Sequence, residues 1–203
     1  KKFELIFVSS KTYEEILIIQ DKLKINFPFI VENGACIFFP LDYFRHNKMD
    51  FKFTKYKNHL VFKLTKLNPS QLAKQLHFLK EKYDFSFYMD LTEKKISKIT
   101  KLRGIDVKLS KIRKFTNPIF WEDSPERKKD FRSEIKSINA NFDILEGGRF
   151  IHISDKYDKG LALKKFLKIK NVMDESYTTI SLGDSENDIP MLELTDFACI
   201  IKS

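Results

Sequence analysis

The chain has 203 residues, enough for one or two domains with a sizeable core, and its 42% hydrophobic and 32% charged residues describe an ordinary globular protein. Lys and Arg number 37 against 28 Asp and Glu, a net charge of +9, but the lysines are spread through nearly every segment, which describes a solvated surface rather than a nucleic-acid stripe. Two cysteines, Cys36 and Cys199, lie far apart and outside any C-x-x-C spacing, which argues against a disulfide scaffold or a zinc site and for a reducing, cytoplasmic setting.

In chain order, Phe3 to Val8 is a mostly apolar run of the kind a buried parallel strand needs. Ser9-Ser10-Lys11 follows, and Thr12 with Glu15 three residues on forms a capping box for a helix that turns Tyr13, Ile16, Leu17 and Leu23 inward. Strand, polar turn and helix open an α/β unit. Phe29-Ile30-Val31 and Ala35 to Phe39 are predicted strands around the turn Glu32-Asn33-Gly34. Ala35 to Phe39 is also the longest apolar run, far too short to cross a bilayer, and no signal-peptide pattern opens the chain, so neither a membrane nor a secreted protein is expected.

From about Leu41 the texture changes to polar and aromatic residues in alternation, with short strands expected near Phe51, Phe53 and Leu60 to Leu64 around a turn at Asn58-His59. Asn68-Pro69-Ser70-Gln71 starts a helix in which Leu72, Leu76, Leu79 and Tyr83 repeat at helical spacing. Phe85 to Met89 reads as a strand, Thr92 opens a helix that Gly104 breaks, and a shorter helix carries Leu109 and Ile112. Pro118 to Glu122 is a further strand, Ser124-Pro125 caps a helix holding Phe131, Ile135 and Ile138, and Phe142 to Leu145 with Arg149 to Ile153 flank Gly147-Gly148 as a hairpin. The opening texture then returns: a helix from Gly160 to Lys168, the strand Tyr177 to Leu182, the loop Gly183 to Asp188, a helix near Pro190 and the strand Phe197 to Ile201. The pattern predicts a split α/β core, residues 1–59 and 155–203, with an α+β unit inserted at 60–154.

Three places on that core can carry chemistry. Gly183-Asp184-Ser185-Glu186-Asn187-Asp188 follows an apolar strand directly, and loops at the carboxyl ends of strands are where ligands bind in open α/β sheets. Three acidic side chains and an amide supply hard oxygen ligands suited to Mg2+, although Asp188 capping the next helix would give the same pattern. Ser9-Ser10-Lys11, at another strand end and helix start, offers hydroxyls and backbone N–H groups to phosphate oxygens, as serines that only cap a helix also would. Lys159-Gly160 opens a helix after Asp155 and Asp158, where a lysine fixed beside carboxylates can balance a bound phosphate.

A hydroxyl, a lysine and an acidic loop in that order, each on a core αβ junction, resemble the haloacid dehalogenase superfamily of phosphohydrolases. Ser9 matches its second motif, Lys159 its third, and Asp184 with Asp188 its fourth, Gly-Asp-x-x-x-Asp. Ser9-Ser10-Lys11-Thr12, Glu32-Asn33-Gly34-Ala35, Trp121-Glu122-Asp123-Ser124 to Arg127, Gly148-Arg149-Phe150 with His152, and Gly183-Asp184-Ser185-x-Asn187-Asp188 are similar to the mannosyl-3-phosphoglycerate phosphatase branch, from about Phe3 to Lys202. The resemblance implies a Rossmann-like core of parallel sheet with flanking helices, an inserted type-two (C2B) cap, and Mg2+-dependent hydrolysis of a phosphomonoester through an aspartyl-phosphate. It implies Ser9 and Lys159 as catalytic residues, Asp184 as metal ligand with Asn187 and Asp188 behind it, and Ser10, Lys11, Asn33, Arg149, Arg127 and Ser124 as substrate contacts, while His152 reads as a satisfied sheet residue. The implied partner is a phosphorylated sugar-glycerate, with no nucleic acid and no membrane.

The family's first motif, Asp-x-Asp-x-Thr, does not occur here. With ~11–12 residues of helix plus a strand and connections it would precede Lys1 by about 20–35 residues. The chain therefore reads as part of a longer enzyme, the alternative being a naturally shortened, non-catalytic relative. A glucosyl-3-phosphoglycerate phosphatase and a Cof-like general sugar-phosphate phosphatase compete for the substrate assignment. From a different class comes a nucleic-acid-binding face on the inserted unit, built of Phe51, Lys52, Phe53, Lys55, Tyr56 and Lys57, although that alternation also suits a half-buried strand.

Overall fold

A computed structural model describes residues 3–44, 51–147, 149–171 and 177–202. Two compact units emerge, residues 1–64 with 157–203, and residues 65–156.

The first unit opens with β1 (Phe7–Val8), much shorter than the apolar run that announces it, and α1 (Tyr13–Leu23). The Thr12–Glu15 capping box forms, Thr12 accepting from the Glu15 amide and Glu15 from the Thr12 amide, so two orphan donors of the first turn are satisfied reciprocally. Next come β2 (Phe29–Val31), a 3-10 turn over residues 32–34, β3 (Cys36–Pro40), β4 (Thr54–Tyr56) and β5 (His59–Lys63). They form one sheet in the order β1-β2-β3-β5-β4, with only β1 and β2 parallel. The expected parallel sheet is therefore mixed, because the short turns after β2 and β4 return the next strand antiparallel and β5 also pairs antiparallel with β3.

β5 also corrects the expected start of the inserted unit at residue 60. Its residues Leu60 to Lys63 pair with Phe39 to Cys36 of β3 and stay with the first unit, and the chain crosses into the second between Leu64 and Thr65. The same correction applies to the aromatic stretch at 51–57. Phe51 and Phe53 pack into the first unit's core, Tyr56 meets Tyr13 edge-on at 5.2 Å, and Lys57 pairs with Glu14, so the rings are not a free stacking platform on the inserted unit.

The second unit contains α2 (Pro69–Leu76), β6 (Phe85–Phe87), α3 (Glu93–Thr100), α4 (Ile105–Ser110), β7 (Ile119–Trp121), α5 (Arg127–Ile138), β8 (Asp143–Gly147) and β9 (Phe150–Ser154). Its antiparallel sheet runs β6-β7-β9-β8. Strand alternation divides the side chains between two cores. Phe85, Phe87, Ile119, Ile151 and Ile153 join Leu72 and Leu76 of α2 and Phe131 and Ile135 of α5, whereas Phe120 and Phe150 join Ile96 of α3 and Val107 of α4. Asp155 accepts from the Thr65 hydroxyl and the Lys66 amide, both at 2.6 Å, and so ties together the first and last residues of the unit.

The chain then returns to the first unit through α6 (Lys159–Asn171), β10 (Ile180–Gly183), α7 (Ile189–Leu192) and β11 (Phe197–Ile200). β10 and β11 pair in parallel as a separate two-stranded sheet. Ala162, Leu163, Phe166 and Ile169 of α6 pack on Ile30, Ile37 and Phe39, while Tyr13 of α1 packs with Phe29 and Phe38, which stack at 5.2 Å across a register pair. With both faces covered, β3 needs apolar residues at consecutive positions, which explains the unbroken run Ala35 to Phe39.

Candidate active site

The turn after β10 is built around Asp188. One of its oxygens accepts from Lys159 Nζ at 2.5 Å, and the other from the amides of Asp184 at 3.1 Å and Ser185 at 3.2 Å. The Ser185 hydroxyl lies 3.0 Å from that second oxygen and 2.6 Å from Asn187 Oδ1. Lys159 and Asp188 are each only 7% exposed at the side chain, so two opposite charges are buried together. Burial alone would raise the Asp188 carboxyl. The Lys159 ammonium, the Asp184 amide and the Ser185 hydroxyl outweigh it and hold Asp188 below the ordinary carboxylate range.

Sequence spacing alone offers Lys159 the nearer carboxylates Asp155 and Asp158, and both are engaged elsewhere. Asp158 accepts from the Leu161 amide at 2.7 Å and caps α6, and Asp155 closes the second unit. The partner is Asp188, 29 residues away, which close helix packing brings in. A Cβ on Gly160 would lie 2.4 Å from the Pro190 carbonyl oxygen, and one on Gly183 2.5 Å from Asp188 Cβ. Glycine is thus what lets α6, β10 and α7 meet at this point.

The loop after β1 joins the same cluster. The Ser9 amide donates to the Ile30 carbonyl at 3.0 Å, the Ser9 hydroxyl accepts from the Lys11 amide at 3.2 Å, and the Ser9 carbonyl accepts from the Asn33 amide at 2.9 Å. Asn33 Oδ1 in turn accepts from Asn187 Nδ2 at 3.1 Å, so the loops after β1, β2 and β10 are joined. Ser10 is exposed at the loop's tip. Lys11 pairs with Glu15 one turn along α1, at 3.2 Å.

Asp184 differs from Asp188. Its carboxylate is exposed and makes no hydrogen bond or ion pair among the described residues. No group of three His, Cys, Asp or Glu side chains among those residues could hold a metal. A single free carboxylate nevertheless fits Mg2+, which typically binds one or two carboxylates and completes its shell with water and substrate phosphate.

The remaining sequence-predicted residues lie in the second unit. Arg127 donates to Asp123 at 2.5 Å and to the Lys82 carbonyl at 2.5 Å, with its guanidinium over the Tyr83 ring at 4.8 Å. Ser124 accepts on its carbonyl from Trp121 Nε1 at 3.0 Å and donates its amide to Asp123. Together they build the start of α5. Arg149 is exposed at the β8–β9 turn and makes no hydrogen bond or ion pair among the described residues, while Gly148 beside it lies outside them. His152 sits on β9 opposite Leu145. Sequence reasoning passed over Ser185, whose signal was the Ser-x-x-Asp spacing to Asp188, a capping box in miniature.

The family model for haloacid dehalogenase-like hydrolases matches residues 1–203. A glucosyl-3-phosphoglycerate/mannosyl-3-phosphoglycerate phosphatase of Persephonella marina is 35% identical over 99% of this chain and 73% of its own length. A mannosyl-3-phosphoglycerate phosphatase of Pyrococcus furiosus is 34% identical over 99% of this chain and 78% of its own. Among solved structures, a haloacid dehalogenase-like hydrolase from B. subtilis superposes with a TM-score of 0.57 at 18% identity, covering 97% of this chain and 76% of that one, a likeness of fold. No helix among the described residues is long and apolar enough to cross a membrane.

Proposed function

The chain belongs to the haloacid dehalogenase-like hydrolases, and on that footing we propose that it is a Mg2+-dependent phosphatase of mannosyl-3-phosphoglycerate, releasing mannosylglycerate and phosphate. One observation carries the reading. Asp188 is taken up by Lys159 and by its own loop, which leaves Asp184, directly after the strand, with a free carboxylate, in a loop linked through Asn187 and Asn33 to the Ser9 loop.

In this mechanism the Ser9 hydroxyl donates to a phosphate oxygen, and Lys159, held by Asp188, offsets negative charge on the transferring group, as phosphoryl transfer relies mainly on position and charge. When bound, Mg2+ supplies charge neutralisation and orientation of the phosphate, with Asp184 as a ligand and Asn187 and Asp188 holding the loop behind it. The attacking carboxylate belongs, in this reading, to a segment N-terminal to β1. The carboxylate would bond to phosphorus as the bond from phosphorus to the sugar-glycerate oxygen breaks, that oxygen taking a proton from water to leave as a hydroxyl, and a water molecule would then split the acyl phosphate into the free carboxylate and inorganic phosphate. Two features support a further strand there. Among the described residues β1 pairs only with β2 and β10 only with β11, and Ile180 and Leu182 of β10 are 60% and 59% exposed. Arg149, whose guanidinium can grip a carboxylate bidentately, is the second-unit residue assigned to the glycerate.

The printed name of the Persephonella relative covers both sugars, which favours a second reading in which the glucosyl substrate is accepted as well. The test is phosphate release by the intact protein from mannosyl- and glucosyl-3-phosphoglycerate and from hexose phosphates, with and without Mg2+. Asp184→Asn should lower turnover by at least about 10²-fold while the fold is retained. Equal turnover of all substrates would overturn the substrate assignment, and an unaffected Asp184→Asn would overturn the metal assignment.

A further inference from the structure

Glu32, Asn33 and Gly34 hold positive φ angles of 49°, 62° and 98° in succession. Two of the three carry side chains, and such a backbone is strained for anything but glycine, with asparagine among the more tolerant residues. Strain of this kind persists only where the surroundings hold it in place. Here the turn is held from three sides. The Glu32 amide donates to the Lys11 carbonyl and the Asn33 amide to the Ser9 carbonyl. A Cβ on Gly34 would lie 2.2 Å from the Asp158 carbonyl oxygen, so the start of α6 passes directly over it.

On the remaining side the buried Asn33 carbonyl oxygen takes the amide of the equally buried Asn187. From Asn187 the connections run inside one loop. Ser185 Oγ lies against both Asn187 Oδ1 and Asp188 Oδ2, and Asp188 holds the Asp184 amide and Lys159. Asn33 is thus a contact through which the loop bearing Ser9 is joined to the loop bearing Asp184.

Resting on the phosphatase reading, we propose that Asn33 is a positioning residue acting through Asn187: it sets the orientation of the acidic loop relative to Ser9 and does not itself touch the substrate. This replaces the substrate contact that the motif alone suggested. Displacements of about 1 Å at a reacting centre can cost about 10²-fold in rate, so the side chain should matter for turnover more than for binding.

A double-mutant cycle on the intact protein tests this. Asn33→Gly removes the side chain and keeps the backbone conformation, and Asn187→Ala removes the other partner. If Asn33 acts through Asn187, Asn33→Gly lowers kcat by about 10- to 100-fold with KM within about 2-fold, and the double variant is no slower than the slower single variant. A rise in KM with kcat intact, or losses that multiply in the double variant, would overturn the proposal. Hydrogen exchange of the Asp184 and Ser185 amides reads the same coupling without substrate. Faster exchange in Asn33→Gly, by about 10-fold or more, supports positioning, and unchanged exchange refutes it. Should the wild type release no phosphate from the phosphoglycerate substrates, the exchange measurement still decides the role of Asn33, and only the substrate assignment falls.

Discussion

Lys159 and Asp188 of the first unit are buried together with hydrogen bonds on both carboxylate oxygens, whereas Arg127 and Asp123 of the second unit pair in the open at 44% and 13% exposure, as do Lys136 with Asp143 at 45% and 50% and, within the first unit itself, Lys11 with Glu15 at 40% and 8%. Removing two charges from water is expensive and is repaid only by close geometry, so a buried pair is weak evidence for stability and a pointer to a site. Exposed pairs contribute little in either direction. The contrast sets the buried pair apart as the candidate site, while the exposed pair of Arg127 fastens the start of a helix.

The sharpest attempt to break the contrast is Lys159→Met, which preserves bulk and leaves Asp188 charged and buried without its cation. The expected loss is about 3 kcal/mol of unfolding free energy, read by denaturant titration at pH 7. Its pH dependence should reverse as well. In the wild type the Asp188 carboxyl is held below its unfolded value, so its contribution is complete above about pH 4 and fades as pH falls through the folded pKa. Without Lys159, burial dominates and raises that carboxyl, so the unfolded state releases its proton first and stability falls as pH rises. A variant as stable as the wild type with an unchanged pH profile would show that Lys159 and Asp188 are not coupled.

Gly34→Ala should cost somewhat less, about 2 kcal/mol. It places a Cβ against the Asp158 carbonyl at a φ of +98°, and the start of α6 must give way. Gly104, also at positive φ but with nothing within 4 Å of a built Cβ, is the matched control in the second unit, where only backbone strain applies. Equal effects of the two substitutions on thermal stability would remove the claim that the first unit's turn is held by its neighbours.

The sequence disclosed what local pattern governs. Thr12–Glu15 forms the capping box its spacing announces, Asn68-Pro69 starts α2, Gly104 separates α3 from α4, and the loop from Gly183 to Asp188 follows a strand. Partners distant along the chain were not readable in the same way. Alternation identified a strand at Leu60 but could not say that it pairs with β3, which moved the unit boundary. A lysine at the start of α6 has acidic neighbours at 155 and 158, and spacing alone does not favour residue 188, which the packing of Gly160 under Pro190 brings to it. Asn33 looked like a turn residue because a turn is what Glu-Asn-Gly specifies locally, and its contact with Asn187 spans 154 positions.

Arg127→Ala is expected to do least. The guanidinium joins Asp123, the Lys82 carbonyl and the Tyr83 ring, three contacts that would make it look indispensable. Each of them leaves its partner provided for. Asp123 keeps the Asp84 and Ser124 amides, which with Arg127 hold it below the ordinary carboxylate range, the Lys82 carbonyl is free to take water, and Tyr83 remains packed on Trp121 and Phe131. An exposed side chain whose partners are otherwise satisfied leaves no buried group unpaired when it is removed, so the thermal midpoint should stay within about 3 °C of the wild type. Phosphate release by this variant separates the two roles the residue has been given: an unchanged KM leaves Arg127 as a fastener of α5, while a rise of about 10-fold or more in KM at unchanged stability would return it to the substrate and show that charge in the second unit also serves chemistry.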